Sequence, residues 1–147
     1  MESNTKPGKA CTETILLVED NDADRELAIR TLTREGYRVL EARDGEEALK
    51  VYQVHGPSVD LVLTDIIMPR MDGVELVERI REMVPKVKVL FTSGYARNPR
   101  IEQKIAGHKV NFIEKSYDLS ALLKKVREVL DEPKSIVEWI KKAVAAK

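Results

Sequence analysis

Five short apolar runs, each followed by a stretch with helical spacing, constrain the fold of this chain more than any single residue does. TILLVE (14–19), YRVLEA (37–42), DLVLT (60–64), VKVLFT (87–92) and VNFIE (110–114) are too short for helix cores and read as buried strands. NDADRELAIRTLTRE (21–35) reads as a helix with Asn21 or Asp22 as cap and Gly36 ending it. DGEEALKVYQVH (44–55) is a second, opened by Asp44, with acids in its first turn where the helix dipole favours them. Residues 72–84 give a third, with Val74, Leu76, Val77 and Ile80 inward and Pro85 beyond its end. A fourth, over 98–107, has little more than Ile101 and Ile105 to hold it. Asp118 caps a fifth, where Leu119, Leu122, Leu123, Val126, Val129 and Leu130 recur at helical spacing. This alternation implies right-handed crossovers and an α/β fold, a parallel sheet covered by helices on both faces.

The ends fall outside that pattern. Residues 1–13 are polar and aperiodic and are expected to form a flexible tail, which sets the domain at 14–132. Pro133 breaks the last helix, and residues 133–147 read as an extra amphipathic helix. At 147 residues the chain has room for one core. Its 25 basic and 25 acidic residues cancel, so no global field favours nucleic acid or an anionic membrane. Cys11 has no second cysteine to pair with, and with only His55 and His108 beside it there is no zinc-type ligand cluster. No secretory apolar region or membrane-length run is evident, so a cytoplasmic location is expected.

In a parallel α/β sheet, ligands bind in the crevice at the carboxyl ends of the strands. Here the first strand ends in Glu19-Asp20, the third in Asp65, the fourth in Thr92-Ser93-Gly94 and the fifth in Lys115. Each has an ordinary structural reading when taken singly: a helix N-terminal acid pair, a turn or cap carboxylate, a turn, a solvated lysine. Their joint placement on one rim of otherwise apolar strands is what those readings leave unexplained. Three carboxylates at one place repel one another, and some must take up protons unless a cation intervenes. Mg2+ fits, because it binds through few carboxylates and keeps several waters. Lys115 adds a compact positive charge and Ser93 a hydrogen-bond donor. The set suits a phosphoryl group moving onto a carboxylate, where catalysis is mostly positioning and neutralisation of oxygens.

ILLVED, DGEEAL, LVLTDIIMPRMDG, VLFTSGYA and FIEKS, in this order and spacing, resemble the motifs of the response-regulator receiver domain, the CheY-like superfamily of two-component signalling. The resemblance runs over roughly residues 13–132. It implies a flavodoxin-like (βα)5 three-layer sandwich with strand order 2-1-3-4-5, carrying here the extra C-terminal helix. It implies Asp65 as phosphoacceptor, Asp20 and Glu19 as Mg2+ ligands (Glu19 through water), and the backbone carbonyl of Ile67 as a further ligand. Ser93 would sense the phosphoryl group and Lys115 pair with it, while Phe112 would be the aromatic rotor that follows Ser93 inward. Ile67 and Tyr95, two residues after the phosphoacceptor and two after the switch hydroxyl, would flank the approach of water, next to Gly94.

The chain departs from the family in two places. Lys115 is followed by Ser116 rather than proline. A cis bond costs about 2.5–4 kcal/mol without proline against about 0.5–1 with it, so a trans bond is expected. Glu19 stands where aspartate is commoner, which lengthens one carboxylate arm.

The implied partners are a sensor histidine kinase or phosphotransfer protein and a downstream protein target. Homodimerisation is open to the face made by the 98–107 helix, the fifth strand and the last helix of the domain, or to the C-terminal helix. GYRVLEARDGEEAL and VLFTSGYA look like receivers attached to hybrid sensor kinases. A haloacid-dehalogenase type phosphatase would need a second aspartate two residues after the nucleophile, where Ile67 stands, so a signalling domain is expected rather than an enzyme. A nucleotide binder would want a glycine-rich loop after the first strand, and NDAD offers none. About 15 residues after Pro133 cannot build a helix-turn-helix, so no direct contact with nucleic acid is expected.

Overall fold

Strand β1 (Thr14–Val18) lies inside a parallel sheet, between β2 (Arg38–Ala42) and β3 (Leu61–Asp65). Strands β4 (Val89–Ser93) and β5 (Phe112–Glu114) extend it beyond β3, so the order is β2-β1-β3-β4-β5. The computed structural model describes residues 12–94, 111–115 and 118–133. Within them the helices are α1 (Asp22–Arg34), α2 (Gly45–His55), α3 (Gly73–Met83) and α4 (Leu119–Leu130), with a short 3-10 turn at Gly56–Ser58. The expected helix over 98–107, the C-terminal helix after Pro133, residues 1–11 of the expected tail and the Lys115–Ser116 bond lie outside the described residues.

Side chains alternate across each strand, and the core divides accordingly. Leu16, Val18, Val62 and Phe91 join Ala48 and Tyr52 of α2 and Val74, Leu76, Val77 and Ile80 of α3. Ile15, Leu17, Leu61, Leu63 and Leu90 face the other way, onto Ala28 and Leu32 of α1 and Leu122, Val126, Val129 and Leu130 of α4. The result is three layers, with the sheet in the middle. Each fully buried Leu, Ile or Val contributes about 1.5–3 kcal/mol of transfer free energy.

All four helices start on side-chain caps. Asn21, Asp44, Asp72 and Asp118 accept from the backbone N–H of Asp24, Glu47, Glu75 and Ala121 at 2.9, 2.8, 2.8 and 2.7 Å. A cap of this kind is worth about 1 kcal/mol. It also fixes where each helix leaves the carboxyl rim of the sheet. The other end of α1 closes through Gly36, whose φ of 105° suits glycine.

The strands differ from the apolar runs at their ends. β3 continues to Asp65 and β4 to Ser93, one residue past the runs. The parallel ladder carries on there, with Ile66 N–H donating to Thr92 O at 2.9 Å and Lys115 N–H to Ser93 O at 2.8 Å. Tyr37 is left out of β2, because its N–H donates back to Leu32 O and its ring is buried against the α1 side. Glu13, just before β1, is tied down: Arg38 N–H donates to its carbonyl at 3.0 Å, and its carboxylate pairs with Arg127 of α4 at 2.6 Å. That guanidinium holds the Glu13 carboxyl below its ordinary range.

Candidate functional site

Each strand of the rim delivers its polar residue one step past its apolar run. Glu19 follows β1, with its N–H donating to Ala42 O at 3.1 Å, and Arg25 Nη1 donates to the Glu19 carbonyl at 3.0 Å. Asp65 is the last residue of β3 and Ser93 the last of β4, while Lys115 follows β5. Glu19, Asp65 and Ser93 are at most 5% exposed, unusual for two carboxylates within one sheet.

The carboxylates of Glu19, Asp20 and Asp65 converge, with one oxygen of each within 4.8 Å of the others. Glu19 and Asp65 are buried and Asp20 is exposed, so the trio opens to solvent on the Asp20 side. Lys115 Nζ reaches Glu19 Oε1 at 2.6 Å, Asp65 Oδ2 at 3.0 Å and Asp24 Oδ2 at 3.5 Å. The remaining oxygens of the buried pair are held by backbone. Asn21 N–H donates to Glu19 Oε2 at 3.0 Å, and Ile67 N–H to Asp65 Oδ1 at 3.3 Å.

Burial pushes the Asp65 carboxyl above its ordinary value, although Lys115 opposes it. Burial does the same to Glu19, again against the pull of Lys115. For Lys115 burial acts to lower the ammonium, but its hydrogen bonds to Glu19 and Asp65 outweigh that and the net direction is up. The ammonium stays charged, while two buried carboxylates remain only partly compensated by it. A donor set made entirely of hard oxygens with surplus negative charge and an open side suits Mg2+ and does not suit a soft metal.

The structure brings together Glu19, Asp20, Asp65 and Lys115, as the strand-end argument expects, and Ser93 follows Thr92, the register partner of Asp65 on the neighbouring strand. Ile67 is 36% exposed above the site, and Gly94 is exposed beside the Lys115 stem. Phe112 is half-buried and packs on the α2/α3 side of the sheet, opposite Phe91 in the β4–β5 register. Tyr95 lies outside the described residues. Sequence reasoning missed three features. Asp24 touches Lys115, and Arg25 braces the Glu19 carbonyl while pairing with Asp22 at 2.6 Å. Arg70 holds the loop after β3 at a φ of 68°, paired with Asp44 at 3.3 Å. The spacing of Asp24 and Arg25 after the acid pair, one helical turn on, was the available signal for the first two.

A parallel 2-1-3-4-5 sheet with acids, a hydroxyl and a lysine on its carboxyl rim is the arrangement of a CheY-like receiver, a phosphorelay domain of two-component signalling. The chain belongs to the response regulator receiver domain family, which it matches over residues 15–127. Its similarity to the sensor kinase CckA of Brucella abortus is 40% identity over 119 residues, covering 81% of this chain and 13% of that protein. The crystal structure of the receiver domain from the hybrid histidine kinase CckA superposes with a TM-score of 0.68 at 39% identity, covering 80% of this chain and 99% of that one. The response regulator TrrA of Thermotoga maritima, solved in complex with Mg2+ and BeF, superposes with a TM-score of 0.69 at 31% identity, covering 80% and 99%.

Proposed function

We propose that Asp65 accepts a phosphoryl group from a sensor histidine kinase or a phosphotransfer protein in a Mg2+-dependent reaction. The phosphorylated domain then signals to a protein partner through β5, α4 and residues 98–107. The observation that carries this reading is the placing of Lys115 Nζ between Asp65 and Glu19, within a trio of carboxylates. A carboxylate oxygen of Asp65 attacks phosphorus, the phosphorus–nitrogen bond of the donor breaks, and the imidazole leaves with those electrons. Asp20, Asp65, the Ile67 carbonyl and, through water, Glu19 would hold Mg2+, which when bound would supply positive charge to neutralise the oxygens of the phosphoryl group. Lys115 stays beside Asp65 and pairs with the incoming group.

The new group carries about −1.5 to −2 charge. Ser93 turns its hydroxyl to it, and Phe112 follows into the space released. The domain is read as 14–132, with residues 1–13 as a tail and 133–147 as an amphipathic helix that docks on it or on a second copy. The likeness to CckA favours a receiver of the hybrid-kinase type, and we read its location as the cytoplasm. Among the described residues no helix is long and apolar enough to cross a membrane. The test of the whole reading is intact mass after incubation with acetyl phosphate, with and without Mg2+. One added phosphoryl group is expected, only with the cation.

Metal binding has its own readout. The surplus carboxylate charge predicts that Mg2+ raises the melting temperature. At ten times the dissociation constant the linkage gain is about 1.4 kcal/mol, or about 3–6 °C for a chain of this size. Asp20→Asn should abolish most of that gain. An equal gain in the variant would place the cation elsewhere.

Ile67 sets a further expectation. Its side chain has no polar atom to hold a water in line with the phosphorus–oxygen bond, and positioning is a large part of such hydrolysis. The aspartyl phosphate should therefore be long-lived, and Ile67→Asn should shorten its half-life severalfold. The decay of purified phosphoprotein with Mg2+ measures it. A variant that decays no faster than the parent removes access at Ile67 as the cause.

A further inference from the structure

Lys115 has more acidic partners than phosphoryl transfer requires. A lysine ammonium has three N–H donors, and here three carboxylates surround it: Glu19, Asp65 and Asp24. Glu19 and Asp65 belong to the trio whose oxygens converge, and Asp24 does not. Asp24 lies in the first turn of α1, where Asn21 caps its N–H, and its side chain is about half exposed. It also lines, with Lys115, Leu27, Ala28, Asp118 and Leu119, a cleft between the start of α1 and the start of α4.

A cation in the trio and the Lys115 ammonium compete for the carboxylates of Glu19 and Asp65. They also repel each other. When the trio is filled, Asp24 is the acid among the observed partners of Lys115 that remains available to it. From this geometry we infer that Asp24 is a positioning residue. It draws Lys115 toward α1, off the metal-binding oxygens, and keeps it within reach of Asp65. The inference rests on the Mg2+ site of the proposed function and concerns how readily that site opens.

Losing Asp24 leaves Lys115 seated fully on Glu19 and Asp65, so Mg2+ must displace it unaided. A partly exposed ion pair is worth a factor of up to about five in a binding constant. Asp24→Asn should then weaken Mg2+ binding about two- to fivefold, as read by titration of backbone amide shifts in the unphosphorylated full chain. Asp24→Glu should restore affinity to within about twofold of the parent. The decisive arm is a double-mutant cycle with Lys115→Met. In that background there is no ammonium to hold, and Asp24→Asn should change affinity by less than about 1.5-fold. An equal weakening in both backgrounds means that Asp24 acts by its own charge and overturns the inference, as does no weakening in the parent. Absence of Mg2+ binding by the parent itself would instead bring down the metal site of the proposed function, a separate result visible before any variant is made.

Discussion

Asp65→Asn is expected to take up no phosphoryl group from acetyl phosphate or a phosphohistidine donor, while folding as the parent does. The substitution keeps the shape of the side chain and removes the nucleophile, since an amide oxygen has no charge to give to phosphorus. The neighbours allow the exchange. Ile67 N–H can still donate to an amide oxygen at the Oδ1 position, and Lys115 keeps Glu19 and Asp24 as partners. Burial disfavours charge on Asp65, so removing that charge carries no folding penalty from desolvation. The melting temperature should therefore be unchanged or higher, and any loss of labelling is then chemical rather than structural. Intact mass checks it, from full stoichiometry in the parent to none in the variant. Persistent labelling of the variant at parental stoichiometry would sink the assignment of Asp65.

Much of this arrangement is legible in the sequence because parallel strands are short and apolar, so the polar residue closing each one stands out. Glu19-Asp20, Asp65, Ser93 and Lys115 could be placed on one rim without coordinates. The caps at Asp44 and Asp118 were legible for a related reason, and that of α1 to within one residue, Asn21 or Asp22: short polar side chains precede each helical pattern. What could not be read depends on how elements meet. TILLV is apolar throughout, so nothing in it tells that Ile15 and Leu17 face α1 and α4 while Leu16 and Val18 face α2 and α3. Asp24 looks like any first-turn acid until the sheet brings Lys115 to it across β1 and β5. Arg70 gives no sign of its left-handed backbone, because arginine has no preference for it. It is fixed there by the loop around it, with Asp44 and Glu46 as ion-pair partners. Asp72, at the start of the expected 72–84 helix, is the cap of α3, and Gly73 is the residue on which the next expectation turns.

Gly73→Ala should destabilise the domain by about 3 kcal/mol, the upper part of the range for overpacking, and lower the melting temperature by roughly 6–12 °C. Ordinary helix propensity predicts the opposite sign, a gain of up to about 1 kcal/mol for alanine over glycine. The difference lies in what the new methyl group would meet. A Cβ at Gly73 falls 2.2 Å from Asp65 O, 3.0 Å from Ile66 Cα and 3.1 Å from Asp65 C, all backbone atoms. No flexible side chain can give way. Either α3 withdraws or the end of β3 bends. Withdrawal is resisted by Val74, Leu76, Val77 and Ile80 in the core and by the 2.7 Å hydrogen bond from Gly73 N–H to Ile66 O. Bending moves the residue that carries the proposed chemistry, so phosphorylation should slow along with the loss of stability. Gly45→Ala is the control. Its Cβ would meet the Met71 side chain, with Sδ at 2.7 Å and Cβ and Cγ at 3.0 Å. The thioether end can rotate aside while Met71 Cβ gives by a few tenths of an ångström, so the loss should be about 1 kcal/mol, the low end of the overpacking range. Chemical denaturation of the two variants and the parent measures all three. A Gly73→Ala protein as stable as the parent would mean that β3 and α3 can separate at this point, and that glycine is not what brings the helix against the backbone of Asp65.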